Sequence, residues 1–307
     1  MSEQKSKKVV ILMSTYNGEK YVEAQLDSIF RQTYENIEIS VRDDGSTDGT
    51  VEILRKYEQQ GKLILTVGNN LGYKKSFYML LKDAPEADYY SFADQDDIWA
   101  DDKIKKAVNA LNSMTSTGKK ALLYFCEFDY YDADMNFISH KKPVNRELDF
   151  RFALVNYVNY GFTTVINNEL RSLYLQMSPE VTFSHDYLAL LLALAFGSVY
   201  HDKSANAKYR RHAENISPGV HTFIKFQVWK MKNFLFSDKH NFKFVWREFA
   251  NVYGDRLNES EEKTLSFFAN ERYNIIYALK KAFSLKSYRE SMLDEIAIRF
   301  LFLIGRL

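Results

Sequence analysis

Asp94, Asp96 and Asp97 fall within the four-residue run Asp94-Gln95-Asp96-Asp97, directly after an apolar stretch that begins at Tyr89. Carboxylates this close raise one another's pKa unless a cation lies between them, and a hard divalent ion held through oxygen is the natural partner. An arbitrary Asp-x-Asp is more often a solvated acidic loop. The case for a site here comes from position, because two other polar stretches also follow apolar runs. They are Ser14-Thr15-Tyr16-Asn17-Gly18-Glu19 and Arg42-Asp43-Asp44-Gly45-Ser46-Thr47-Asp48-Gly49. Farther along, Ser184-His185-Asp186 precedes an apolar helix, and Tyr209-Arg210-Arg211-His212 gathers cations whose forked geometry suits phosphate oxygens.

The elements that must position these residues alternate. Residues 9–13 read as a strand buried on both faces, and Val22, Leu26, Ile29 and Phe30 then recur at helical spacing. Residues 37–41 and 63–67 read as the second and third strands, with Val51, Leu54 and Tyr57 opening the helix between them. After a turn at residues 68–72, a short helix carries Phe77, Leu80 and Leu81, and residues 89–93 form the fourth strand. Four such units in succession predict a parallel sheet with right-handed crossovers. Ligands of such sheets bind at the carboxyl ends of the strands, where the three polar loops converge.

Beyond this point the texture changes. Residues 121–131 form a long apolar and aromatic strand that turns at 132–136, the pattern of an antiparallel hairpin. Residues 157–166 read as another strand, residues 188–196 as a helix, and a short strand precedes Tyr209. The pattern becomes helical from about residue 221. The reading is a central, mostly parallel mixed sheet in residues 1–219, followed by a helical extension over 220–307.

Composition narrows the function. The chain has 307 residues, 46% of them hydrophobic, and a net charge of +1, which argues against a nucleic-acid binder as a whole. A single cysteine, Cys126, excludes an internal disulfide framework and fits a reducing compartment. The first apolar run is too short for a signal peptide or a membrane span, so the expected location is cytoplasmic.

The three loops, in this order and approximate spacing, resemble the nucleotide-sugar site of the family 2 glycosyltransferases over about residues 8–215. The stretch Phe92-Ala93-Asp94-Gln95-Asp96-Asp97-Ile98-Trp99, with Tyr209-Arg210-Arg211-His212, is similar to the branch that includes bacterial rhamnosyltransferases of cell-wall and capsule synthesis. The resemblance implies a GT-A fold and an inverting transfer from a nucleoside-diphosphate sugar, dTDP-rhamnose or a UDP-hexose, to a glycan or lipid-linked glycan. A Mg²⁺ or Mn²⁺ would balance the diphosphate, with Asp96 as first ligand and Asp94 as second ligand or ribose contact. The resemblance further implies that Ser14 and Asp44 hold the base. Tyr16 would stack on it, Glu19 would take the ribose, and Asn17, Asn70, Gly72 and Gln95 would line the nucleotide pocket. Arg210 and His212 would reach the diphosphate or the metal. It places the general base at Asp186, with His185 orienting it. Residues 161–164 would line the sugar pocket, Trp99 would offer an apolar face to the sugar ring, and Glu127 and Asp129 would meet acceptor hydroxyls. Asp97 is expected to cap the following helix. Two other classes stay open, a sugar-nucleotide nucleotidyltransferase and a catalytically silent sugar-nucleotide-binding scaffold. The first loop counts against the former, since it has no cation before Lys20, and the retained Asp94, Asp96 and Asp186 count against the latter.

Residues 221–247 carry Lys225, Lys230, Lys232, Lys239, Lys243 and Arg247 against the single anion Asp238, interleaved with Phe223, Trp229 and Phe236. A basic, aromatic amphipathic segment suits an anionic membrane surface, here the inner face of the plasma membrane, and equally suits packing on the catalytic domain or a homo-oligomer.

Overall fold

The computed structural model describes residues 6–115, 118, 120–180, 184–212, 242–269 and 273–307. They form two compact units, one of residues up to 145 with 159–211, the other of residues 146–158 with those from 212 onward.

The first unit is built on a curled mixed sheet. Strands β1 (Val9–Thr15), β2 (Ile37–Asp43), β3 (Ile64–Val67) and β4 (Tyr89–Asp94) alternate with helices α1 (Val22–Phe30), α2 (Thr50–Gln59) and α3 (Tyr73–Asp83). They pair in parallel in the order β3-β2-β1-β4. The continuous apolar run of β1 is explained by its central place, where Val9 through Met13 have no solvent exposure because helices cover both faces. Helix crossovers of this kind return every strand in the same direction, so the carboxyl ends of β1, β2 and β4 meet at one edge.

Past β4 the strand direction changes. Strand β8 (Thr164–Asn167) lies antiparallel between β4 and β6 (Ala121–Tyr131), and β9 (Gly197–Arg210) runs parallel to β6. The two-residue β5 (Ile98–Trp99) closes the far edge on β9, and β7 (Phe137–His140) forms the expected hairpin with β6. Helix α4 (Lys103–Met114) packs on β6 and β9, α6 (Asn168–Tyr174) follows β8, and α7 (His185–Phe196) runs directly into β9. Residues 157–166 differ from the strand expected there. A 3₁₀ turn at Gly161–Thr163 intervenes, and only Thr164–Asn167 pairs, because the chain must tuck Gly161 against the His185 ring. Strand β9 also exceeds the short strand expected before Tyr209, being 14 residues long. Its polar composition hides it from an apolar-run reading, since much of one face is solvated.

The second unit comprises α5 (Phe150–Ala153), α8 (Phe242–Tyr253), α9 (Glu259–Phe268), α10 (Ile275–Ala282) and α11 (Met292–Leu303). Trp246, Phe249, Phe268, Tyr288 and Phe302 are buried at its centre, and the Trp246 indole N–H donates to the Leu154 carbonyl at 3.0 Å. Of the basic aromatic segment 221–247, residues up to 241 lie outside the described residues. Residues 242–247 open α8, where Phe242 and Trp246 face the unit's own core. Among the described residues no helix is long and apolar enough to cross a membrane.

The join between α7 and β9 depends on glycine. A Cβ at Gly197 would stand 1.6 Å from the Ala121 carbonyl oxygen, inside the opening pair of the β6–β9 ladder. Gly197→Ala should lower stability by about 1–3 kcal/mol in urea unfolding. Gly254→Ala, where nothing lies within 4 Å of the added carbon, should leave the midpoint nearly unchanged.

Candidate active site

Strand register assembles the site before any loop is considered. Pairing of β1 with β4 sets Ser14 opposite Asp94, and pairing with β2 sets Thr15 opposite Asp43. The loops leaving these strands then fasten to one another. The Gln95 side chain clamps the Tyr16 backbone at both ends, accepting its N–H at 2.8 Å and donating to its carbonyl at 3.0 Å. That clamp occupies the space where a side chain at Gly18 would lie. Asn17 adopts φ +48° and accepts the Thr47 N–H at 2.8 Å, while the Glu19 carboxylate accepts the Gly49 N–H at 2.7 Å. Asn17, Glu19 and Gln95 are thus the ties that shape this pocket, and the Tyr16 ring projects outward, 48% exposed.

The second loop is organised by its aspartates. Buried Asp43 accepts the Gly45 and Ser46 N–H groups and the Thr15 and Ser46 hydroxyls. Asp44, also buried, accepts the Leu71 N–H at 2.9 Å, the Gly72 N–H at 2.8 Å and the Arg42 guanidinium at 3.2 Å. It therefore fixes the third loop, in which Asn70 also accepts the Gly72 N–H at 3.0 Å. Gly72 takes φ +77°, a conformation that favours glycine, and starts α3. Ser14 exchanges a hydrogen bond of 2.7 Å with Ser76 on that helix.

The acidic run is under electrostatic load. Burial, then the carboxylates of Asp96 and Asp186, push the Asp94 carboxyl up to about 8. Asp97 is fully buried, and burial with its two acidic neighbours holds its carboxyl well above the usual range. It was expected to cap α4, but Asp102 occupies that position. Asp97 instead accepts the Arg210 backbone N–H at 3.1 Å, joining the loop to β9.

Asp186 stands in the first turn of α7. Its Oδ1 accepts the Ser184 hydroxyl and the Tyr187 N–H, and among the described residues its Oδ2 accepts no hydrogen bond. The His185 ring does not hydrogen-bond Asp186, contrary to the orienting role expected of it. It is buried between Phe77 and Phe92, with centroids 4.1 and 4.8 Å away, and among the described residues both ring nitrogens lack hydrogen-bond partners. Burial lowers its pKa, so it is a neutral packing block beneath Asp186. One residue absent from the sequence reading joins this group. Tyr73, 38% exposed at the start of α3, has its hydroxyl pushed up to about 12 by burial and by the charges of Asp186 and Asp94. An aromatic residue directly after a glycine that starts a helix was the available signal.

Several other expected residues are buried or paired within the protein. Arg210 is buried and turned inward, with Nε on the Asp96 carbonyl at 2.9 Å and Nη1 on the Ala133 carbonyl at 2.8 Å. His212 falls in the second unit. Trp99 is 2% exposed beneath the Lys103 ammonium, 3.4 Å from its ring centroid, so it offers no face to a sugar. Glu127 is committed to Lys141 at 2.7 Å and His201 at 2.6 Å, and Asp129 to His140 at 2.9 Å. Residues 161–164 are buried.

The donor set suits a divalent cation of a particular kind. Among the described residues no three carboxylate, imidazole or thiolate groups form a closed metal cage. Two carboxylates at one strand end, with Asp94 destabilised as an anion, would suit an ion that takes its remaining positions from substrate phosphates and water.

Comparison with known proteins agrees with this architecture. The family model for glycosyl transferase family 2 matches residues 10–169. The dTDP-rhamnosyl transferase RfbG of Shigella flexneri is 38% identical over 121 residues, 37% of this chain and 42% of its own length. The Escherichia coli UDP-Glc:alpha-D-GlcNAc-diphosphoundecaprenol beta-1,3-glucosyltransferase WfaP is 28% identical over 212 residues, 68% of this chain and 79% of its own. The chain spans 64% of two further curated relatives, so it covers less than two thirds of several proteins it matches. The crystal structure of Staphylococcus aureus TarS 1–349 with UDP-GlcNAc superposes with a TM-score of 0.59 at 20% identity, covering 98% of this chain and 79% of that one, which shows a shared GT-A fold.

Two outcomes follow from the packing and charge. A Cβ at Gly161 would lie 2.0 Å from the His185 Nε2, so Gly161→Ala should displace α7 and lower turnover at least tenfold. Adding His185→Ala should recover part of that loss in steady-state assays. Asp94 has a folded-state pKa above its unfolded value, so its ionisation destabilises the cation-free protein as pH rises from about 4 through 8. Asp94→Asn should therefore raise the melting temperature in EDTA, by more at pH 9 than at pH 5, as read by circular dichroism.

Proposed function

This chain belongs to glycosyl transferase family 2, and on that premise we propose that it transfers a sugar with inversion from a nucleoside-diphosphate donor to a growing, lipid-linked cell-wall or capsular glycan. The observation that carries the reading is the convergence of Asp94 and Asp186 from separate elements: the Asp186 charge helps to raise the Asp94 carboxyl, and both charges raise the Tyr73 hydroxyl. A metal-side carboxylate and a proton-accepting carboxylate within electrostatic reach of each other are what such a transfer needs.

Cleavage of the anomeric bond leaves an electron pair on the diphosphate. Asp94 and Asp96 would hold a Mg²⁺ or Mn²⁺, which supplies positive charge against that developing negative charge. The Asp186 carboxylate accepts the acceptor hydroxyl proton as its oxygen bonds to the anomeric carbon from the face opposite the leaving group. Its unbonded Oδ2 is the atom suited to that proton, since Oδ1 is held by Ser184 and Tyr187. Ser14 and the exposed Tyr16 ring would take the base, while Asn17, Glu19, Asp44, Asn70, Gly72 and Gln95 keep the loops in register around it. Arg210 would act by holding the acidic loop from behind rather than by reaching phosphate. The names of RfbG and WfaP support dTDP-rhamnose or a UDP-hexose as donor, and that of WfaP supports a lipid diphosphate acceptor. A lipid-linked acceptor would place the protein at the inner face of the plasma membrane.

Incubation with Mn²⁺ and a panel of sugar nucleotides should release nucleoside diphosphate from dTDP-rhamnose or a UDP-hexose and not in EDTA. Release of nucleoside monophosphate would overturn the reading. Asp186→Asn should lower transfer by about 10²–10⁴-fold while leaving donor affinity by calorimetry unchanged.

A further inference from the structure

The second unit displays an unusual concentration of apolar surface. Of 22 large hydrophobic side chains exposed among the described residues, 12 lie within residues 273–304. Ile275, Leu279 and Phe283 recur every fourth residue from α10, and Met292, Ile296, Phe300 and Ile304 do the same along α11. Each set forms a single stripe on its helix. The adjoining stripe of α10, Ala278 and Ala282, and the opposite stripe of α11, Ile298, Leu301 and Phe302, are buried, and the two helices pack side by side. The connection between them adds Leu285, which is fully exposed. Soluble proteins seldom leave contiguous apolar faces of this kind uncovered.

Charge identifies what covers it. Residues 273–307 carry six Lys and Arg side chains against three Asp and Glu. Glu295 is paired with Arg299, while Lys280, Lys286 and Arg306 are exposed. A second copy docked about a two-fold axis would set a surface of net positive charge against itself, which disfavours self-association. An anionic bilayer complements both features: the stripes enter the acyl boundary, the cations meet headgroups, and exposed Tyr273 and Tyr277 suit the polar-apolar interface. We propose that the α10–α11 face is a monotopic docking surface for an anionic lipid bilayer. The proposal rests on residues 273–307 alone and does not depend on which donor the catalytic site uses.

Flotation of the full-length chain with phosphatidylcholine vesicles containing phosphatidylglycerol, and with phosphatidylcholine alone, tests it. The wild type should co-float with the anionic vesicles. Phe283→Glu combined with Phe300→Glu should reduce the floated fraction at least tenfold, with the circular dichroism spectrum and donor hydrolysis unchanged. The proposal is overturned if the wild type does not float, or if the double variant floats as well as the wild type while Lys225→Glu with Lys230→Glu abolishes binding. It is equally overturned if light scattering finds a wild-type dimer that the double variant dissociates, since the face would then be covered by a second copy. Donor hydrolysis is read separately, so failure of the proposed transferase activity and failure of membrane docking give different results.

Discussion

Crowding of carboxylates at the end of β4 is the constraint around which the first unit is arranged. Asp94, Asp96 and Asp97 lie on one short loop, and Asp186 adds its charge from α7. Such a cluster opposes folding unless its members are separated by role. Asp97 is withdrawn completely and satisfied on one oxygen by a backbone N–H of β9. Asp94 keeps some solvent access and a high proton affinity. The long parallel pairing of β6 with β9, and the short β5 that closes on β9, place Arg210 behind the loop. Half of the sheet thus serves to hold one acidic turn.

The loops around that turn show a division between shape and chemistry. Most of their polar side chains bond to backbone groups of a neighbouring loop: Gln95 to Tyr16, Asn17 to Thr47, Glu19 to Gly49, Asp44 to Leu71 and Gly72. Three irregular segments that individually lack secondary structure become mutually rigid by this means. Tyr16 and Tyr73 stay exposed beside these ties, and Asp94 and Asp186 remain within electrostatic reach of each other and of Tyr73. Preorganisation of this kind lets a substrate bind without first ordering the loops.

The second unit solves a different problem. Its core is aromatic, with Trp246, Phe268, Tyr288 and Phe302 in mutual ring contacts of 5.0–6.0 Å. Helices short enough to be marginal alone gain their stability from this packing. The same helices leave apolar stripes outward, so hydrophobicity in this region is divided between a core and a surface.

Much of the site was legible in the linear chain. Apolar runs followed by Ser14, Asp43 and Asp94 gave the strands, their parallel direction and the edge at which the polar loops converge, because period and flanking polarity are local properties. Asp186 was likewise visible as an acid at the start of an apolar helix. Trp99, Glu127, Arg210 and residues 161–164 carried site-like residue types and turned out to be buried or paired inside the protein. Sequence records which groups a residue offers, whereas burial and partners depend on residues far away in the chain, such as Lys103 over Trp99 and His201 on Glu127. Strand β9 was underestimated because its exposed face reads as polar, and Tyr73 was overlooked because its importance lies in two carboxylates 21 and 113 positions away. What the sequence determined was the succession of elements and the acidic chemistry at their ends. Which carboxylates remain free to use that chemistry was decided only by tertiary contacts, since desolvation and hydrogen bonding act through space and not along the chain.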